Sequence, residues 1–157
     1  MSPDAGHLPL EGRFEGREHR FPLRVYFEDT DLSGVVYHAN YLRYMERARS
    51  AMLRAAGIDQ RAAFEAGEGA YAVRDIGVRY HAPARLDDTL DVVTRVMRIR
   101  AASVDIQQRV MRGSTLLAEG SVEAAFVAPS GRPRRQPAAW VTAFETLIWP
   151  TTDLDGD

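Results

Sequence analysis

The chain of 157 residues contains no cysteine. It contains no lysine either, since all 20 of its basic residues are arginine. The absence of cysteine excludes disulfides, zinc–cysteine sites and thiol nucleophiles, and it fits a reducing compartment. A net charge of −2 at pH 7 is too small to indicate a nucleic-acid partner. No apolar run approaches the roughly 20 residues of a membrane helix, and no signal-peptide core is visible. We therefore expect a soluble, cytoplasmic protein.

Several motifs of cofactor-dependent and hydrolytic enzymes are also missing. The sequence has no G-x-G-x-x-G, no P-loop and no G-x-S-x-G nucleophile elbow. Metal binding is not expected either, because the histidines lack paired spacing. These histidines are His7, His19, His38 and His81. The sequence thus predicts neither a metal nor a redox cofactor.

The apolar residues change period along the chain. Alternation over residues 21–27 predicts a strand, with Phe27 on the same face as Phe21. After a turn-rich stretch, small and apolar residues recur every three or four positions, which predicts a helix over Asn40–Gly57. Asn40 is a plausible N-cap, and Gly57 a plausible terminator.

After a loop near residues 62–70, strand-like segments dominate the remainder of the sequence, near residues 71–81, 89–100, 103–112 and 115–128. Gly113 and Ser114 indicate a tight hairpin between the last two. Pro137 then opens a short helical pattern. One long helix followed by several strands predicts an α+β fold in which an antiparallel sheet covers the helix. We expect a single domain over residues 20–150, a flexible N-terminal extension over 1–19 and an acidic tail over 151–157.

Four reactive side chains lie between the first strand and the long helix: Glu28, Asp29, Asp31 and His38. A helix N-terminus carries unpaired N–H groups and a partial positive charge, so it can stabilise an oxyanion. A nearby carboxylate could attack a carbonyl or activate water. The spacing therefore offers the two groups that acyl transfer needs, which are a nucleophile or base and an oxyanion donor.

The same residues also have structural interpretations. Asp-Thr-Asp before Gly34 is typical of a turn in which the side chains bond to the local backbone. His38 could be a hydrogen-bonded structural histidine, whereas Glu28 and Asp29 could be solvated. These alternatives stay open on the residues alone.

A longer run of residues carries a family resemblance. The run RVYFEDTDLSGVVYHANYLRYMERAR, from Arg24 to Arg49, closely resembles the 4-hydroxybenzoyl-CoA thioesterase family, and it is most similar to the YbgC branch. A second block, YHAPARLDDTL from Tyr80 to Leu90, is similar to that family as well. The resemblance implies a hot-dog fold, in which a curved antiparallel sheet wraps a long central helix. It also implies hydrolysis of acyl-CoA thioesters.

The resemblance further implies roles for individual residues. Asp31 would be the nucleophile or general base, and His38 would supply a backbone oxyanion donor and a side chain that orients water or protonates the thiolate. Substrate would be bound by Gly34, Val35, Tyr37 and Asn40, of which Tyr37 and Asn40 would line the pocket or hold the loop. Arg100 and Ser103 would contact CoA, which is part of the substrate and not a separate cofactor.

The family also implies an assembly and an alternative function. Its members form homodimers or homotetramers whose active sites lie between subunits, and an acyl carrier protein is a further candidate partner. The alternative is a non-catalytic protein that binds acyl-CoA or acyl carrier protein on the same scaffold, since fold alone does not fix function.

Overall fold

Helix α1, Asn40–Ala55, lies across one face of a six-stranded antiparallel sheet in the computed structural model, which describes residues 11–150. The strands are β1 Arg13–Glu15, β2 Glu18–Arg24, β3 Ala70–Tyr80, β4 Thr89–Ile99, β5 Ser103–Arg112 and β6 Thr115–Val127. The sheet order is β1-β2-β4-β5-β6-β3. Two shorter helices are α2, Gln60–Glu65, and α3, Ala138–Glu145. The predicted α+β fold class is confirmed.

The apolar stripe of α1 forms the centre of the core. Tyr44, Met45 and Ala48 are almost completely buried against the sheet. Gly120 on β6 permits this close packing, because a Cβ there would stand 3.3 Å from the Met45 methyl group. The helix ends where the sequence predicts, with Gly57 at a φ of 83°.

The sheet bends around the helix. Register shifts interrupt the pairing of β3 with β6, of β4 with β5 and of β5 with β6. Such bulges bend and twist a strand locally. At the far end of α1, Phe144 of α3 is fully buried in a second apolar cluster with Met52 and Val96. Together α1 and α3 cover one face of the curved sheet.

Three sequence expectations are corrected. The extension over residues 1–19 is too long, because β1 pairs with β2 from Arg13 onward; residues 1–10 and the tail 151–157 lie outside the described residues. Phe27 leaves the strand face and is 81% exposed, since the backbone forms a short 3-10 turn over Phe27–Asp29. Helix α2 interrupts the loop expected near residues 62–70, with the Asp59 side chain capping its first turn.

Candidate active site at the start of the long helix

The loop that precedes α1 is held in place by the turn that follows β3. Thr30 pairs with Val36 and Val35 pairs with Arg85, each as an antiparallel bridge. The Val36 N–H donates to the Ala84 carbonyl at 2.9 Å. The three short segments therefore form a small antiparallel sheet of their own.

Directly opposed residues of antiparallel segments point to the same side. Val36 and Ala84 point inward, and both belong to the buried core. The neighbouring row points outward and contains Asp31, Val35 and Arg85, of which Val35 is half-buried and the other two are exposed. The Asp31 N–H donates to the Val35 carbonyl at 2.9 Å, so Asp31 completes this row. A candidate catalytic carboxylate thus stands on the solvent side of a rigid support.

Asp31 also stabilises its own turn. Its Oδ1 accepts hydrogen bonds from the Ser33 N–H, at 2.9 Å, and from the Ser33 hydroxyl. The Gly34 N–H donates to the Asp31 carbonyl at 3.0 Å, and Gly34 has a φ of 80°, which glycine adopts without strain. The turn interpretation of Asp31 is confirmed, yet both side-chain bonds end on Oδ1. Within residues 11–150 the Oδ2 atom accepts none.

These bonds keep the carboxyl charged. The hydrogen bond from the Ser33 hydroxyl lowers the pKa of Asp31 most, the Ser33 N–H lowers it further, and an electrostatic contribution from His38 is the smallest. A carboxyl with a lowered pKa is ionised throughout the neutral range.

His38 is exposed two residues before α1 begins. Its carbonyl accepts a hydrogen bond from the Tyr80 hydroxyl at 2.8 Å, and its ring packs against Tyr37 with the centroids 4.5 Å apart. Within residues 11–150, neither the His38 N–H nor the Ala39 N–H donates to a protein acceptor. The helix start therefore presents free donors beside the Asp31 loop.

Asn40 holds the loop that precedes α1 in place. Ala39, not Asn40, is the N-cap of α1, so the capping prediction is wrong by one residue. The Asn40 side chain is buried, and its amide nitrogen donates to the Asp29 carbonyl at 2.8 Å. The Tyr37 N–H donates to the same carbonyl at 2.9 Å. Of the two roles predicted for Asn40, holding the loop is the one its contacts fit, and a contact with substrate stays a prediction.

The residues predicted to contact CoA lie at the other end of the sheet. Arg100 and Ser103 follow the C-terminal end of β4, whereas the Asp31 loop adjoins the start of β4, about 33 Å away along an extended strand. Arg100 is ion-paired with Asp105 at 2.7 Å. Ser103 is 6% exposed. Within one chain these residues and Asp31 do not form a single site.

Sequence reasoning did not single out three residues of this region. Ser33 holds the Asp31 carboxylate, Tyr80 holds the His38 backbone, and Arg85 extends the outer row. Ser33 could have been found, because Asp followed two residues later by Ser is a common side-chain turn. Tyr80 and Arg85 carry no local signal, since their partners are about forty to fifty residues away in sequence.

No helix within residues 11–150 is long and apolar enough to cross a membrane. No group of three or more His, Cys, Asp or Glu side chains is arranged to hold a metal ion in that range.

Comparison with solved structures identifies the fold. A probable thioesterase from Bartonella henselae superposes with a TM-score of 0.73 at 37% identity, covering 76% of this chain and 99% of the other. A 1,4-dihydroxy-2-naphthoyl-CoA thioesterase from Synechocystis superposes with a TM-score of 0.77 at 24% identity, covering 85% and 99%. The fold is therefore the hot-dog fold of thioesterases, as the sequence resemblance predicts.

Sequence comparison identifies the family. Residues 25–144 match the thioesterase-like superfamily. The acyl-CoA thioester hydrolase YbgC of Escherichia coli O6:H1 is 44% identical over 128 residues, which cover 80% of this chain and 95% of the relative. The acyl-CoA thioesterase YbgC of Haemophilus influenzae is 42% identical over 107 residues, covering 68% and 79%. The chain belongs to the thioesterase-like superfamily, and its resemblance to the YbgC branch is confirmed.

Proposed function

We propose that this chain hydrolyses acyl-CoA thioesters to a carboxylate and free CoA at the start of α1. The observation that carries the proposal is the pairing of an ionised, exposed carboxylate at Asp31 with unpaired backbone donors at His38 and Ala39. The relatives named acyl-CoA thioesterases, at 42–44% identity, support the same activity. No step requires a metal or a redox cofactor.

Asp31 acts on the thioester carbon in one of two ways. As a general base, its Oδ2 removes a proton from the water that adds to the carbonyl, and the C–S bond then breaks to release the CoA thiolate. As a nucleophile, Oδ2 attacks the carbonyl and displaces the CoA thiolate, which leaves a mixed anhydride that water then opens. Ser33 supports either route, because both of its hydrogen bonds go to Oδ1. They fix the plane of the carboxylate and leave Oδ2 free to react. Both routes need the ionised form, which the lowered pKa of Asp31 maintains.

The helix start acts on the carbonyl oxygen. As the tetrahedral intermediate forms, negative charge develops on that oxygen, and a free N–H at His38 together with the positive end of α1 stabilises it. The His38 side chain, exposed beside Tyr37, orients the water or protonates the departing thiolate. Gly34 and Val35 line the path to Asp31, while Tyr37 closes one side of it.

A second copy of the chain completes the site. Strand β3 is an open edge that pairs only with β6 within residues 11–150, and it exposes Val73 and Ile76. An open apolar edge favours pairing with another strand. Because Tyr80 ends β3 and holds His38, pairing along this edge brings the partner beside the site. Light scattering at micromolar concentration measures the molecular mass in solution. A mass equal to that of one chain would contradict this assembly.

The test of function is release of free CoA thiol from a panel of aliphatic and aromatic acyl-CoAs. We expect turnover with at least one of them, and the pattern across the panel identifies the acyl group preferred. No release from any member, together with measurable CoA binding, would favour the non-catalytic binding protein. The partnership with acyl carrier protein, the CoA contacts of Arg100 and Ser103, and the cytoplasmic location stay predictions.

A further inference from the structure

Arg85 occupies the same outward-facing row as Asp31. Val35 lies between them, directly opposite each. Opposed residues of antiparallel segments have Cα atoms about 5 Å apart, so the Cα atoms of Asp31 and Arg85 are separated by about 10 Å. The alternation of burial confirms the facing, because Ala84, the neighbour of Arg85, is fully buried while Arg85 is exposed.

The backbone of Arg85 is fixed, whereas its guanidinium is free. Its N–H donates to Asp88 Oδ2 at 2.8 Å, and the Asp88 carboxylate is ion-paired with Arg112 at 2.9 Å. Arg112 also donates to the Pro83 carbonyl at 3.1 Å, which ties the turn to β5. Within residues 11–150 no carboxylate lies within ion-pair distance of the Arg85 side chain. Arg85 therefore forms no ion pair in this range, and its charge makes only the smallest of the contributions that lower the pKa of Asp88. That positive charge stands on a rigid turn beside Asp31.

This setting contrasts with that of Arg100. The Arg100 guanidinium is bound to Asp105 at 2.7 Å and lies 3.9 Å from Glu123. Binding an anion there would require the cation to leave its carboxylate partners. Arg85 needs no such exchange, and it belongs to the same local sheet as Asp31.

We propose that Arg85 binds an anionic group of the thioester substrate, and that this group is a phosphate of CoA. The proposal rests on the proposed function. A guanidinium matches phosphate oxygens with paired hydrogen bonds, and charge assistance makes those bonds strong. The pantetheine arm then runs from Asp31 across Val35, so that its far end meets Arg85. Because every acyl-CoA carries these phosphates, Arg85 contributes to binding whatever the acyl group is.

The experiment compares Arg85→Gln with the unaltered chain on two substrates that share one acyl group. The first is the acyl-CoA, and the second is the acyl thioester of N-acetylcysteamine, which lacks all phosphates. We expect Arg85→Gln to raise KM for the acyl-CoA about tenfold with kcat unchanged, the cost of one charge-assisted contact. Kinetics on the truncated substrate should stay unchanged. Arg98→Gln, which removes an exposed arginine near the other end of β4, is the matched control.

The other possible outcomes distinguish failure of the Arg85 proposal from failure of the proposed function. An equal loss on both substrates, or no change on either, would overturn the role of Arg85. A loss seen only with a succinyl thioester, and not with its butyryl counterpart on the same truncated carrier, would overturn the phosphate assignment in favour of an acyl carboxylate. A KM effect in Arg100→Gln without one in Arg85→Gln would place CoA at the far end of the sheet. Failure of the unaltered chain on every thioester would instead contradict the proposed function.

Discussion

At one end of the sheet, Asp31, His38 and Arg85 stand exposed with polar atoms that have no protein partner in the described chain. At the other end, Gln136 is 5% exposed and uses its whole side chain: it binds the Tyr71 hydroxyl and donates to the carbonyls of Arg100 and Ser103. Both regions are built on loops and are rich in polar groups. The difference is that one region uses those groups to stabilise the fold, whereas the other leaves them available to a ligand.

The contrast appears in the hydrogen bonds that each region does form. Around Asp31 most bonds join backbone groups, or a side chain to the backbone nearby, and they position the loop without closing it. Around Gln136 the bonds connect segments more than thirty residues apart in sequence. A buried polar group that loses such a partner is costly, whereas an exposed one is simply hydrated. Substitutions in the two regions should therefore have opposite signatures.

The largest effect on stability is expected from Gln136→Ala. The substitution removes the acceptor of the half-buried Tyr71 hydroxyl and the side-chain donor to the Arg100 carbonyl, so the free energy of unfolding should fall by about 2–4 kcal/mol. The kcat of the folded fraction should not change. Chemical denaturation and thiol release measure the two quantities.

Gln60→Ala, at the start of α2, is the control for this substitution, and it should change stability by less than about 0.5 kcal/mol. An unchanged unfolding free energy in Gln136→Ala would contradict the assignment of this region to stability. A loss of kcat would show that the two ends of the sheet are not separate in function.

A smaller and different effect is expected from Ser33→Ala. The Ser33 hydroxyl is the largest cause of the lowered pKa of Asp31, so its removal raises that pKa. Because activity needs the ionised carboxylate and is lost as pH falls through the pKa, the acid limb of kcat/KM should move to higher pH. Stability should hardly change, since the bond is exposed.

The pH profile needs a control with a serine whose loss leaves Asp31 untouched. Ser114→Ala, in the exposed turn between β5 and β6, serves this purpose and should leave the acid limb in place. An acid limb that stays fixed in Ser33→Ala would mean that another group sets it.

Much of the fold could be predicted from the sequence because it depends on periodicity. The bounds of β5 and the start of α1 agree with the residue pattern, as does the hairpin at Gly113. Strand β1 was missed because three residues are too few to show alternation. Phe27 was misplaced because the backbone turns to pair Val25 with Asp88, a contact with no local signature.

The candidate site could be predicted only in part. Asp31 and His38 were found through a long resemblance, since their spacing alone also fits a turn. Arg85 could not be found, because its place beside Val35 depends on a bridge between segments fifty residues apart. The resemblance predicts that Arg100 contacts CoA, but a sequence does not reveal whether an acidic partner already binds an arginine, as Asp105 does here.

The central claim is best tested with Asp31→Asn, which keeps the side-chain size and removes the charge. Glu28→Gln, three residues earlier and also exposed, is its control. We expect kcat for the preferred acyl-CoA to fall by about 10²–10⁴-fold in Asp31→Asn, with CoA affinity and melting temperature close to those of the unaltered chain, and no loss in Glu28→Gln. Retention of full turnover by Asp31→Asn would contradict the account.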